Sequence, residues 1–193
     1  MTTTVDAPPA TAAAVAQCGA TVWLTGLPSA GKTTIALALA EQLRAEGQRV
    51  EILDGDEIRT FLSAGLGFTP EDRDTNIQRI GFVAELLASN GVTVLAPVIA
   101  PYAASRAAVA ARHAAQGTPY LEVHVATPVE VCSVRDVKGL YAKQAAGEIT
   151  GLTGVDDPYE APTSPDLRIE AHTQTAADSA AALRALLTER GLA

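Results

Sequence analysis

Apolar positions along this chain fall into short blocks that alternate between two periods. Residues 21–25, 49–53, 120–125 and 167–170 are β-branched or bulky runs of strand length. Residues 92–99 form an almost continuous apolar run, as expected of a strand buried on both faces of a parallel sheet. The stretches between them have helical spacing. One is the alanine- and leucine-rich 32–46, closed by Gly47. Another, 70–90, opens on Pro70-Glu71-Asp72, carries Ile77, Ile80, Ala84, Leu87 and Ala88 on one side, and ends at Asn90-Gly91. Helices are also predicted over 103–116, ended by Gly117, over 129–135 behind Thr127-Pro128, and over 175–192, with Ala177, Ala180, Ala181, Leu183 and Leu187 available for packing.

The order is βα repeated, with no internal sequence repeat. Right-handed crossovers between buried parallel strands then predict a three-layer α/β sandwich with its ligands at the carboxyl ends of the strands. Two segments stand apart. Residues 1–19 are rich in Thr, Ala and Pro and almost uncharged. They lack the basic start of a signal peptide and an apolar run long enough to cross a bilayer, so they read as a flexible tail on a cytoplasmic protein, ahead of a domain at 20–193. Residues 136–165 lose periodicity and gain Gly, Pro, Asp and Lys. An insertion of that length in a compact domain is usually functional, and here it reads as a lid.

Composition narrows the function classes. The 193 residues suit one domain, and 48% hydrophobic content with 4% aromatic means a core of Ala, Val, Leu and Ile. A net charge of −8 argues against a nucleic-acid polymer as partner, which would need a broad basic surface. Cys18 and Cys132 lie far apart and in no metal-ligand spacing, so they read as reduced thiols. His113, His124 and His172 also lack ligand spacing and read as packing or surface residues.

Chemistry enters with Gly26-Leu27-Pro28-Ser29-Ala30-Gly31-Lys32-Thr33, followed by Thr34, set between the first strand and its helix. It satisfies G-x-x-x-x-G-K-[ST], the phosphate cradle of P-loop nucleotide-binding proteins. Glycines bring backbone N–H groups onto phosphate, the helix start adds its positive end, Lys32 supplies a mobile charge and Thr33 can ligate Mg²⁺. The motif leaves kinase, ATPase and GTPase open. The run 92–99 ends with no acid, so metal duty falls to Asp54 and Asp56 at the end of the second strand. Asp54 can serve Mg²⁺ while Asp56 accepts a substrate hydroxyl proton. Seven of the 14 basic residues, Lys32, Arg59, Arg73, Arg79, Arg135, Lys138 and Lys143, fall in the cradle, the following segment or the lid. That favours a second, anionic substrate beside ATP, although Arg73 and Arg79 equally suit a solvated helix face.

Leu53-Asp54-Gly55-Asp56-Glu57-Ile58-Arg59, Gly65-Leu66-Gly67-Phe68, Glu71-Asp72-Arg73 and Asn76-Ile77-Gln78-Arg79-Ile80-Gly81 closely resemble blocks of adenylylsulfate kinase. So do Ile99-Ala100-Pro101-Tyr102, Val131 to Asp136, Lys138-Gly139-Leu140-Tyr141 and Gly151 to Glu160, all in family order from about Thr21 to Pro162. The resemblance implies a parallel-sheet fold of P-loop kinase type with a lid insertion. It implies transfer of the γ-phosphoryl of MgATP to the 3′-hydroxyl of adenosine 5′-phosphosulfate. By position, Asp56, Arg59, Phe68, Arg73, Asn76, Ile99, Ala100, Lys138 and Leu152 would meet this acceptor. Residues Gly26 to Thr34 and Arg135 would hold ATP, Thr33 and Asp54 the Mg²⁺, and Lys32, Asp56 and Arg135 would carry catalysis. The family tends toward homodimers.

The chain departs from the family pattern in several places. Ala100 stands where members commonly have Ser, which removes any phosphoserine route through that side chain. Leu152 stands where Phe commonly closes a sandwich with Phe68 around the adenine, and Glu57 stands where Asn is usual. Ala103 and Ala104 replace basic residues that often follow Pro-Tyr. A kinase of a related small-molecule hydroxyl is therefore an alternative that a substrate panel separates. A non-catalytic nucleotide-binding module is disfavoured by the intact Lys32, Thr33, Asp54, Asp56 and Arg135.

Overall fold

The computed structural model describes residues 19–193, so Cys18 and almost all of the expected tail lie outside the described residues. The chain runs β1 (Thr21–Thr25), α1 (Lys32–Ala45), β2 (Val50–Ile52), α2 (Gly55–Thr60), α3 (Pro70–Ser89), β3 (Thr93–Pro97), α4 (Ala103–Gln116), β4 (Tyr120–Val125), α5 (Val129–Arg135), α6 (Leu140–Ala145), β5 (Leu167–Ile169) and α7 (Ala176–Glu189). All five strands are parallel, in the order β2-β3-β1-β4-β5, and the first strand lies at the centre.

Strand alternation divides the core in two. Val22 and Leu24 of β1 join Val123 of β4 in a cluster closed by Ile35, Leu39 and Leu43 of α1 and Leu183 and Leu187 of α7. Trp23, between them in sequence, faces the other way, with Val94, Ala96 and Val98, against Ile77, Ile80 and Ala84 of α3 and Val109 of α4. Each helix pair thus covers one face of the sheet, which is the predicted three-layer sandwich. The α3–α4 approach is close: a Cβ on Gly81 would lie 2.6 Å from Val109 Cγ2. His113 is a core residue, as expected. Its Nδ1 faces the Val109 carbonyl, which can only accept, so Nδ1 carries the proton and Nε2 accepts from the Thr21 hydroxyl at 2.9 Å.

The glycine stops fall where the pattern puts them. After α1, the N–H of Gly47 returns to Arg44 O and that of Gln48 to Leu43 O, a Schellman closure with Gly47 at φ 83°. Asn90-Gly91 ends α3 in the same way. Three features differ from expectation. The segment after β2 folds as α2, the insertion contains α6, and the ladder of β3 stops at Pro97 although Val98 remains buried.

Candidate active site

The carboxyl end of β1 opens into the cradle. A Cβ on Gly26 would sit 2.5 Å from the Val125 carbonyl oxygen, so only glycine lets the loop pass this close to β4. Ser29 and Gly31 take positive φ of 60° and 106°, and α1 begins with Gly31 as its cap and no side chain on its free N–H groups. Lys32 is buried and folds back on the loop, donating to Gly26 O at 2.9 Å and Leu27 O at 2.7 Å. Burial pulls its pKa down to about 7.

The insertion supports this loop from its other side. Tyr141 of α6 is buried and donates its hydroxyl to Pro28 O at 3.1 Å, and the Val137 N–H reaches Ser29 Oγ at 3.3 Å. Arg135 bridges Ala30 O, at 3.4 Å, and Ala171 O, at 3.1 Å, just beyond β5.

Asp54 lies just past β2 and caps α2. Its Oδ1 accepts the Asp56 N–H at 2.9 Å, and its Oδ2 accepts the Thr33 hydroxyl at 2.7 Å. Two hard oxygens this close are a few tenths of an ångström short of the edge of about 3.0 Å expected for octahedral Mg²⁺ with bonds of about 2.1 Å, so both could ligate one ion after a small shift. Among the described residues no group of three or more His, Cys, Asp or Glu could hold a metal. A cation here would therefore complete its shell with water and phosphate, as Mg²⁺ does. Asp56, exposed on the first turn of α2, forms an ion pair with Lys138 of the insertion.

Arg59 donates to Gly67 O at 3.0 Å, and its guanidinium lies 4.6 Å from the centre of the Phe68 ring, which is 67% exposed. Arg73 does not line a solvated face. It is buried, donates to Phe68 O at 2.8 Å and reaches the insertion at Gly151 O and Thr153 Oγ1, with Asp157 3.7 Å away. Arg79 donates to Leu62 O and stays with the loop before α3. Asn76 is buried on α3, and its Oδ1 has no partner, an orphan acceptor of the kind a ligand satisfies. Ile99 O accepts from Thr25 Oγ1 at 2.5 Å and Ala100 O from Arg106 at 2.8 Å, so both carbonyls of this turn are held by the protein. Ala100 holds φ 44°, a left-handed conformation that costs alanine about 1 kcal/mol or more. Leu152 is 6% exposed and belongs to the apolar cluster beneath the cradle, whereas Phe68 projects toward solvent.

Sequence reading missed the anchors of residues 151–160. Tyr102 donates to Asp157 at 3.3 Å, Tyr159 meets Thr25 at 3.1 Å, and Glu160 Oε2 accepts the Ala103 N–H at 2.6 Å. The block Gly151 to Glu160 was the available signal, but it named no partners.

The family model for adenylylsulphate kinase matches residues 18–170. A probable adenylyl-sulfate kinase of Synechocystis is 60% identical over 151 residues, covering 78% of this chain and 83% of that protein. The adenylyl-sulfate kinase of Myxococcus xanthus is 50% identical, covering 91% and 95%. Among solved structures, the Mycobacterium tuberculosis APS kinase in complex with AMPPNP and APS superposes with a TM-score of 0.85 at 43% identity, covering 88% of this chain and 98% of that one.

Proposed function

The chain belongs to the adenylylsulphate kinase family, and from that premise we propose that it transfers the γ-phosphoryl group of MgATP to the 3′-hydroxyl of adenosine 5′-phosphosulfate, releasing ADP. The observation that carries the reading is the chain of contacts from Thr33 through Asp54 to Asp56, which sets a phosphate cradle beside an exposed carboxylate.

The residues supply positioning and charge, which is most of what phosphoryl transfer needs from a protein. Lys32 leaves the carbonyls of Gly26 and Leu27 for the phosphates of ATP, and the free N–H groups at the start of α1 take the remaining oxygens. Thr33 and Asp54 would hold Mg²⁺, which would supply positive charge against the phosphates of ATP. Asp56, released from Lys138, accepts the proton of the attacking hydroxyl, and Lys138 turns to the acceptor's anionic group. Arg135 offsets charge on the transferring group. Ala100 has no hydroxyl to carry phosphate, so transfer is direct and in line.

Phe68 stacks on the acceptor base and Asn76 donates or accepts at its polar edge, while Leu152, buried in the apolar cluster beneath the cradle, backs the pocket rather than closing a sandwich around the base. Arg59 and Arg73 frame the ring. The expected assembly is a homodimer, read by light scattering. No helix among the described residues is long and apolar enough to cross a membrane.

Incubation of the purified protein with MgATP and adenosine 5′-phosphosulfate yields the 3′-phosphorylated product in this reading. Turnover of another alcohol with none of this acceptor overturns it.

A further inference from the structure

Arg106 lies on the first turn of α4, 4% exposed, and its guanidinium meets three separate parts of the chain. Nη1 donates to Ala100 O at 2.8 Å, Nη2 to Glu160 O at 2.7 Å and Nε to Glu122 Oε1 of β4 at 2.7 Å. These are the turn after β3, the far end of the insertion and the sheet. A buried cation persists only where partners satisfy it, and one carboxylate with two carbonyls does so here. The planar fork of arginine reaches all three, whereas a lysine ammonium cannot.

Both ends that Arg106 holds are tied to the acceptor side. The Ala100 carbonyl belongs to a residue kept in a left-handed conformation that alanine disfavours. Glu160 returns to the same region, its N–H bonded to Pro101 O and its carboxylate to the Ala103 N–H. Tyr159 touches Thr25, whose hydroxyl also donates to Ile99 O. The turn and the insertion are thus braced against each other, and the contacts of the cradle with Tyr141, Val137 and Arg135 share no bond with this brace.

We propose that Arg106 is a positioning residue for the acceptor nucleotide: it holds the Ile99–Ala100 turn in shape and locks the end of the insertion onto it before a substrate arrives. The proposal rests on the reading of Ile99 and Ala100 as part of the acceptor pocket. Arg106 touches neither substrate, so its removal acts on acceptor affinity and leaves donor affinity alone.

The test uses the full chain and measures both KM values. Arg106→Ala raises the acceptor KM about tenfold or more, the loss expected for hydrogen bonds from a charged group, while the ATP KM stays within about twofold. A cavity of about 300 Å³ lined by Arg106 and Glu122 adjoins the site, so guanidinium ion at low millimolar concentration enters the vacated space and restores the acceptor KM. Ammonium ion does not. An equal rise in both KM values, no rise in either, or no response to guanidinium overturns the proposal. If Arg106→Ala does not fold, Arg106→Lys carries the same comparison: a raised acceptor KM beside an unchanged ATP KM supports the role, and unchanged values refute it. A wild-type protein that leaves adenosine 5′-phosphosulfate untouched refutes the functional reading itself. An active wild type with an unmoved variant refutes only the role of Arg106.

Discussion

Binding of ATP is expected to take up a proton through Lys32. In the structure this side chain is buried against two carbonyls, and desolvation lowers its pKa from 10.5 to about 7. Phosphate next to the ammonium raises that value back toward its ordinary range. The protonated form is the one that binds, so affinity is full below about pH 7 and declines as pH rises through that value. For a free-state pKa of about 7, the affinity falls about eightfold between about pH 7.5 and about pH 8.5, and about 0.9 proton is taken up per nucleotide near pH 8. Calorimetry of a non-hydrolysable MgATP analogue in two buffers of different ionisation enthalpy measures both quantities. Stability of the protein without nucleotide added moves the other way. Above about pH 7 the unfolded chain holds the lysine proton that the folded one has lost, so this group adds stability as pH rises toward 10.5. Lys32→Arg, charged at every accessible pH, abolishes the proton uptake. Affinity that stays flat over this range in the wild type, with no buffer dependence of the heat, refutes the argument.

Three further outcomes are expected. Asp56→Asn lowers kcat by about 10²- to 10⁴-fold while leaving nucleotide binding intact, measured by steady-state kinetics and titration. Gly26→Ala forces a methyl group against the Val125 carbonyl, 2.5 Å away, so both the melting temperature and ATP affinity fall. Phe68→Ala removes stacking worth about 1–3 kcal/mol, raising the acceptor KM about 5- to 150-fold with the ATP KM unchanged; equal values for mutant and wild type would remove Phe68 from the site.

The parts of this protein that were legible in its sequence are those whose determinants are contiguous. The cradle reads off eight consecutive residues, and Gly47, Gly91 and Gly117 mark helix ends because each takes the left-handed conformation there. Helices α2 and α6 are six residues each, too short for a 3.6-residue period to appear, so the first read as a loop and the second vanished into the insertion. Asp54 read as a metal ligand at a strand end, and its second role as the cap of α2 stayed hidden because α2 itself did. The brace around Arg106 was out of reach for another reason. Arg106 and Glu160 are 54 residues apart, and what joins them is the return of the chain from the insertion to β5. Arg73 shows the same limit: helical spacing could not decide between a solvated face and burial, and contacts with Gly151 and Thr153 settle it.

The carboxylate of Asp54 has one oxygen on the hydroxyl of the cradle and the other on the backbone that begins α2. It acts as a ruler: the gap between the cradle and α2 is spanned by a single side chain through two bonds of 2.7 and 2.9 Å. The residues proposed to recognise the acceptor beyond Asp56 can then be exchanged without resetting that distance. A graft intended to give this scaffold a new acceptor should keep Asp54, Gly55 and Asp56 and begin at Glu57.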